Sequence, residues 1–294
     1  MQKIFITGAS GFVGTNLRAY LKDDYQFSLY SRGEKAEITE DIVIHLAGKA
    51  HDTKNVSLPE EYYKSNTELT IQIFDAFLHS PASVFIMLSS VKAAADEING
   101  ELTEEIIPKP STHYGKSKLL AEEYILSKVL PPGKRVYIIR PCMIHGPGNK
   151  GNLNLLYQLV RKNVPWPLAS FDNKRSFCSI ENLCFVIKEL ISRDNIPSGI
   201  YNMADDLTLS TNDLIRAIAK SLSRNPKFLH LPVSFVQIVA RMGDVLRFPL
   251  NSERLNKLTE SYIVSNHKIK AAINKPLPVS AEDGLMTTFS SFAK

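Results

Sequence analysis

Tyr114 and Lys118 stand four residues apart in the run Tyr114-Gly115-Lys116-Ser117-Lys118, a spacing that sets a phenol and an ammonium on one face of a helix. An ammonium beside a phenol favours the phenolate and draws its pKa from ~10 toward neutrality, which makes the tyrosine a workable general acid or base. Alone, such a pair is an ordinary solvated helix face. Its meaning comes from Leu88-Ser89-Ser90, an apolar run that ends in hydroxyls upstream of the pair. Open α/β sheets bind ligands outside the carboxyl ends of their strands, so Ser90, Tyr114 and Lys118 are expected to meet.

A second constellation opens the chain. Thr7-Gly8-Ala9-Ser10-Gly11-Phe12-Val13-Gly14 places glycines at GxxGxxG spacing between a β-branched run and an amphipathic stretch. Gly8 suits a tight turn, Gly11 lets backbone approach a pyrophosphate, and Gly14 permits close helix packing. The amides of the following helix then face the phosphates. A dinucleotide is the expected ligand. Beyond the next apolar run stand Ser31 and Arg32 where an NAD enzyme would present a carboxylate to the ribose. A guanidinium and a hydroxyl suit the 2′-phosphate of NADP(H) instead, although Glu34, two residues further on, keeps NAD as the alternative.

The elements that must carry these groups alternate. Short apolar runs at Lys3 to Thr7, Phe27 to Tyr30, Ile42 to Ala47, Val84 to Leu88 and Val136 to Ile139 read as strands, with helical patterns over Glu60 to Leu78 and Ser117 to Val129. Parallel neighbours need helical crossovers, so the first half reads as a doubly wound α/β sheet. From about Asn149 the pattern turns helical, over Asn152 to Asn163, Glu181 to Ser192, Thr211 to Ser223 and Val233 to Leu246. Gly199 to Met203 reads as a strand rejoining the sheet, followed by Ser210 as a helix cap. The division expected is a dinucleotide-binding part over 1–150, with a returning segment near 176–205, and a discontinuous, smaller lobe within 151–294. The stretch from Phe235 to Leu246 is apolar with two arginines, which admits a membrane-surface helix; a core-facing or pocket-covering helix is the preferred reading.

Composition bounds the rest. The chain has 294 residues, 44% hydrophobic and 22% charged, ordinary for a globular protein with a real core. A net charge of +5, not gathered into basic blocks, gives no sign of nucleic acid. Cys142, Cys178 and Cys184 lack CxxC spacing and His partners, so neither a disulfide framework nor a metal site is expected, and reducing cytosol is the setting that fits. No stretch reaches the ~18 apolar residues of a membrane span, and the opening run is too short for a signal-peptide core, so no targeting segment is expected there.

TGASGFVG, DIVIHLAG from Asp41 to Gly48, LSS with YGKSK, RPCMIHGPG from Arg140 to Gly148, FDNKRSF and GIYNMADD follow one another in an order that resembles the extended short-chain dehydrogenases/reductases acting on nucleotide sugars. The resemblance implies a Rossmann-type doubly wound sheet with a mainly helical C-terminal substrate lobe. It implies Tyr114 as catalytic acid or base, Lys118 on the nicotinamide ribose, and Ser90 on the reacting oxygen. It carries a cofactor role to Gly8, Ser10, Gly11, Phe12, Val13, Gly14, Ser31, Arg32, Ala47, Gly48 and Pro141, and a hold on the substrate diphosphate to Asn152 and Arg175. Asn66 is expected to position a helix rather than do chemistry.

Two departures stand out. Only Gly33 to Glu40 separate Arg32 from the next strand, implying that a strand and helix are shortened or missing and the adenine pocket more open. His145 and the run Ala93-Ala94-Ala95 replace the family's usual residues and are expected to alter the substrate pocket. The SSVK and NKGNLNLLYQLV segments resemble most the reductases and epimerases of UDP-linked N-acetylated 6-deoxyhexoses in surface-polysaccharide synthesis. An NADPH-dependent C4-ketone reductase is the leading expectation, with an NAD-dependent UDP-sugar 4-epimerase and a non-catalytic NADP(H)-binding sensor or scaffold as alternatives. A homodimer is the expected assembly.

Overall fold

The computed structural model describes residues 1–49, 58–149, 152–246 and 251–292. β1 (Lys3–Thr7) leads through the glycine turn into α1 (Phe12–Leu21), and β2 (Gln26–Leu29) and β3 (Ile42–His45) pair in parallel on either side of β1. A helical rod follows in three pieces: α2 (Pro59–Tyr62), a π-helical turn (Tyr63–Glu68) and α3 (Leu69–Leu78). β4 (Val84–Leu88) comes next, then the short β5 (Glu101–Leu102), α4 (His113–Leu126) and β6 (Arg135–Pro141). The described residues form a six-stranded parallel sheet, whose final strand β9 (Gly199–Met203) is the predicted returning segment and pairs with β6.

Both faces of this sheet are covered, which is why its strands read as continuous apolar runs. Ile4, Ile6, Ile44, Ile86 and Ile139 pack toward Leu17 and Leu21 of α1 and Leu183 and Ile187 of α6 (Ile180–Ser192). Phe5, Val43, Phe85, Met87 and Ile138 pack toward Phe74 and Phe77 of α3 and Ala121 and Ile125 of α4. Residues 33–40 contain neither strand nor helix, in line with the shortening expected there. Ile38 from this loop packs with Phe5, Val43 and Ile73.

Between β6 and α6 the chain forms β7 (Met143–His145), α5 (Asn152–Arg161) and β8 (Phe177–Ser179), with β7 parallel to β8. After β9 come α7 (Thr211–Ser221), α8 (Val233–Leu246), α9 (Ser252–Thr259), β10 (Ile263–Val264), α10 (His267–Ile273) and α11 (Ala281–Phe292). Ser210 caps α7 as predicted, in a reciprocal box with Asp213. α5, α7, α8, α9 and α11 enclose a second apolar core around Tyr157, Trp166, Ile215, Val236 and Phe289. The chain also returns to the first core through Tyr262, Val264, Ile269 and Ile273, and β10 pairs with β5. That second return is not legible in a run of helical patterns.

His145 differs from its expectation. It is fully buried, between the Thr288 hydroxyl of α11 at 2.9 Å and the Asp205 carboxylate at 3.4 Å, so it ties the C-terminal helix to the sheet rather than shaping a substrate pocket. Ala93 and Ala94 are likewise fully buried. Their small size lets the turn after β4 press on α4, where a Cβ on Gly115 would come 2.4 Å from the Lys92 carbonyl.

Arg140 of β6 and Glu122 of α4 are each 1% exposed and bonded through both guanidinium arms, Nε to Oε1 at 3.0 Å and Nη2 to Oε2 at 2.5 Å. Ser89 also donates to Glu122. Removing one member leaves the other charge buried and alone, so Glu122→Ala is expected to cost about 3–5 kcal/mol of unfolding free energy in urea titration. Replacing both by Leu and Met should recover most of that loss.

Candidate active site

Parallel strands end on one edge, so the residues following β1, β3, β4 and β6 gather there by topology. Gly8 has φ of +70°, and a Cβ on it would lie 2.7 Å from the Ala47 nitrogen in the loop after β3. A Cβ on Gly14 would lie 2.3 Å from the Gly8 carbonyl, so α1 can approach β1 only with glycine there. Gly11 is the N-cap of α1; no side chain caps the helix, and its first turn holds no acid. Ser10 is exposed at its mouth, while Phe12 and Val13 pack against the sheet.

Across the edge, a buried hydrogen-bonded chain fixes the loop after β3. The Ala47 amide donates to Thr7 Oγ1 at 3.0 Å, Thr7 Oγ1 lies 2.8 Å from His45 Nδ1, His45 Nε2 lies 2.9 Å from Thr70 Oγ1, and Thr70 donates to the Asn66 carbonyl at 2.6 Å. Thr70, whose proton goes to the Asn66 carbonyl, therefore accepts from Nε2–H, and a neutral ring takes the Thr7 proton at Nδ1. Burial, with Lys118 nearby, lowers its pKa to about 3, so it stays neutral.

Asn66 sits on the π-helical turn, fully buried. Its side chain accepts from the Lys49 amide at 2.7 Å and donates to Ser117 Oγ at 3.0 Å, joining the loop after β3 to α4. This matches the expected positioning role. The π turn itself was invisible to helical periodicity; the extra residue per turn is a frequent companion of functional sites.

α4 begins at His113, a turn earlier than the apolar pattern predicts, because Thr112 caps it by accepting from Gly115 at 3.1 Å. Asp96 receives four hydrogen bonds from Ser111 and Thr112, at 2.6 to 3.0 Å. Burial works against the Asp96 carboxylate, but these donors outweigh it and hold its pKa below the usual value. The consequence is that Tyr114 occupies the first turn and meets Ser90, whose hydroxyl hydrogen-bonds the phenol. Lys118, one turn on, is 5% exposed and donates to the Leu88 carbonyl at 2.9 Å. Ser90, Tyr114 and Lys118 thus come together as expected.

The electrostatics differ from the expectation in one respect. Burial raises the Tyr114 phenol above its ordinary value, and the Ser90 bond only partly offsets this. The lysine is the group whose proton is loosened: burial lowers Lys118 to about 8 against the opposing pull of Glu122. Low dielectric disfavours both phenolate and ammonium.

The remaining predicted residues are less gathered. Gly48 is exposed beside this group, and a Cβ on it would lie 2.7 Å from Asn66 Oδ1 and 3.0 Å from Lys118 Nζ. Pro141 closes β6 and is buried. Ser31 and Arg32 are exposed in the turn after β2. Arg175 donates from Nε to the Glu260 carbonyl at 3.1 Å, and its backbone bridges Leu209 and Tyr262. Asn152 begins α5, but its side chain lies outside the described residues.

Lys92 was not singled out from the sequence, although SSVK contains it. It is half-buried with its ammonium 4.2 Å from the centroid of the Tyr262 ring, and burial lowers its pKa, with Asp96 and Glu260 opposing and Arg175 reinforcing the shift. A cation is thereby set between the turn that carries Ser90 and the bridged segment that carries Arg175.

These residues fit a dinucleotide: a turn with no room for a Cβ at Gly8 or Gly14, helix amides without a side-chain cap, and a glycine against Asn66 and Lys118. Comparison with known proteins agrees. The model of the NAD dependent epimerase/dehydratase family matches residues 27–204. A UDP-glucose 4-epimerase of Vibrio cholerae is 28% identical, over 99% of this chain and 95% of that protein. A UDP-2-acetamido-2,6-beta-L-arabino-hexul-4-ose reductase of Pseudomonas aeruginosa is 30% identical over 52% of this chain and 38% of that protein. The structure of RMD from Pseudomonas aeruginosa complexed with NADPH superposes with a TM-score of 0.74 at 21% identity, covering 99% of both chains. With a glycine turn, a Ser/Tyr/Lys cluster on one sheet edge and a family match across more than half its length, this chain belongs to the NAD dependent epimerase/dehydratase family, as an NAD(P)-dependent enzyme of the extended short-chain dehydrogenase/reductase type.

Proposed function

We propose that the chain is an NADPH-dependent reductase of the C4 ketone of a UDP-linked 4-keto-6-deoxy-N-acetylhexosamine, in the synthesis of surface-polysaccharide sugar nucleotides. The observation that carries this reading is the turn after β2, where Ser31 and Arg32 stand and no carboxylate lies between Leu29 and Gly33. A guanidinium there recognises a 2′-phosphate, and net reduction consumes a fresh reductant. The partial match to a UDP-linked hexulose reductase supports the substrate class. The second reading, a 4-epimerase that retains NAD, is favoured by the match to a UDP-glucose 4-epimerase over nearly the whole chain.

In this reading the glycine turn, the loop at Ala47 and Gly48, and Pro141 would hold the dinucleotide, which would supply hydride chemistry at C4. Tyr114, kept protonated at neutral pH by its burial, gives its proton to O4. Ser90 orients that oxygen, Lys118 holds the nicotinamide ribose, and Arg175 with Asn152 holds the diphosphate. The substrate lobe belongs within 151–294. The three cysteines are unpaired, which suits a reducing cytoplasm, and a homodimer is compatible with this reading.

Incubation with a UDP-4-keto-6-deoxy sugar and NADPH should oxidise the cofactor and yield a 4-hydroxy product; tightly bound NAD with redox-neutral interconversion of UDP-sugar epimers would establish the epimerase instead. Tyr114→Phe should lower kcat by ~10²–10⁴-fold while nucleotide binding, followed by calorimetry, stays intact. Arg175→Ala should raise the substrate KM by about tenfold or more and leave the NADPH KM nearly unchanged, since a charge-assisted bond contributes ~1.5–3 kcal/mol. Wild type should prefer NADPH to NADH, and Arg32→Ala should cut that preference by roughly ten- to a hundredfold through NADPH alone. Equal losses for both cofactors would remove the 2′-phosphate role.

A further inference from the structure

The second core leaves one of its helices half covered. Val236 and Ala240 of α8 are buried in the cluster with Trp166, Ile215 and Leu255. On the other side of the same helix, Phe235, Ile238 and Met242 are 53%, 56% and 52% exposed. Their i, i+3, i+7 spacing sets them in one stripe. Exposed Ser234, Gln237 and Arg241 border it, and exposed Val233 and Leu229 extend it along the approach to the helix. Asp244 lies off the stripe and is bonded to Ser252.

A cationic feature lies on the segments that precede this helix. Arg161 and Lys162 at the end of α5, with Arg224 and Lys227 beyond α7, line an open cavity of about 560 Å³ together with Asn163 and Asn225, and no acid is among its lining residues. Arg224 donates to the Arg161 carbonyl at 2.6 Å, which draws the two helix ends together. Backbone pairing with Trp166 at 2.8 and 2.9 Å holds Lys227 and Leu229 on one extended segment, where their i, i+2 spacing sets a cavity cation and an exposed apolar residue on the same side of the chain that leads into α8.

We propose that this face rests on an anionic phospholipid bilayer, with Phe235, Ile238 and Met242 entering the acyl boundary and Arg161, Lys162, Arg224 and Lys227 meeting the lipid phosphates. An apolar helix stripe flanked by cations is the arrangement that lies in a membrane interface. No helix among the described residues is long and apolar enough to cross a membrane, so the contact is with the surface. A second copy of this chain is a poorer occupant. In a two-fold contact the patch would face itself, setting like charges against like. The proposal stands whichever substrate and cofactor the enzyme uses.

The test is co-sedimentation of the full chain with vesicles of phosphatidylcholine alone or mixed with phosphatidylglycerol. Wild type should pellet with the anionic vesicles, less so as salt rises, and stay in solution with the neutral ones. Each cation near such a surface contributes roughly fivefold to partitioning, so Arg224→Gln with Lys227→Gln should weaken binding at least tenfold. Phe235→Ser with Ile238→Ser should do the same, with unchanged urea midpoints because the altered side chains are exposed. Failure of wild type to bind anionic vesicles overturns the proposal, and that measurement decides it even where a variant fails to fold. So does undiminished binding by the apolar variant, which would mean charge adsorption alone. Self-association of wild type that the apolar variant abolishes, without vesicle binding, would assign the face to a second copy.

Discussion

A buried imidazole that must remain neutral governs the geometry of the cofactor edge. His45 has a threonine hydroxyl on each ring nitrogen, Thr7 from β1 and Thr70 from α3, and those hydroxyls in turn hold the Ala47 amide and the Asn66 carbonyl. One proton order runs through the whole chain of groups. Charging the ring would place a cation in a desolvated enclosure near Lys118 and reverse the proton between Thr7 and Nδ1. The loop beside the glycine turn and the π turn that carries Asn66 are therefore set by one interaction, and Asn66 passes that constraint to Ser117 on α4.

The same enclosure that fixes positions also sets the proton chemistry. Tyr114 and Lys118 share a low-dielectric environment that opposes charge on either, so the phenol is raised and the ammonium lowered. Their tendencies converge from opposite sides. A tyrosine that holds its proton until an oxygen develops charge nearby, beside a lysine that gives one up readily, suits acid catalysis at a carbonyl. Glu122 restrains the lysine's shift while its own charge is spent mainly on Arg140, so a structural ion pair between α4 and β6 bears on the site without touching it.

Around this rigid edge the periphery is spare. Where a strand and helix are absent after β2, Ile38 packs onto the sheet with Ala36 and Tyr30 beside it, leaving Arg32 and Ser31 open to solvent. The second core is held to the first by β10, by the His145 contact with Thr288 and by the Arg175 backbone bridges. Its outer helix α8 turns apolar residues outward, which links the surface chemistry of the lobe to how the enzyme is placed in the cell.

Local pattern accounts for the sheet and for the meeting of Ser90, Tyr114 and Lys118 at its edge. Runs such as Ile4-Phe5-Ile6 and Val84 to Leu88 have to be buried strands, for which local pattern suffices, and the GxxGxxG spacing marks the turn, where Gly8 and Gly14 leave no room for a Cβ. The Tyr114/Lys118 spacing was legible for the same reason. Tertiary structure alone decided what depends on neighbours distant in sequence. The direction of the Tyr114 shift follows from enclosure rather than from the adjacent lysine. His145 proved a packing residue because Thr288 and Asp205 arrive from elsewhere in the chain. The early start of α4 needed Asp96, and the place of Lys92 needed Tyr262, whose ring comes from a segment that returns to the first core. Hydrophobic periodicity reports which face a residue turns inward; it carries no information about which other segment it will meet there.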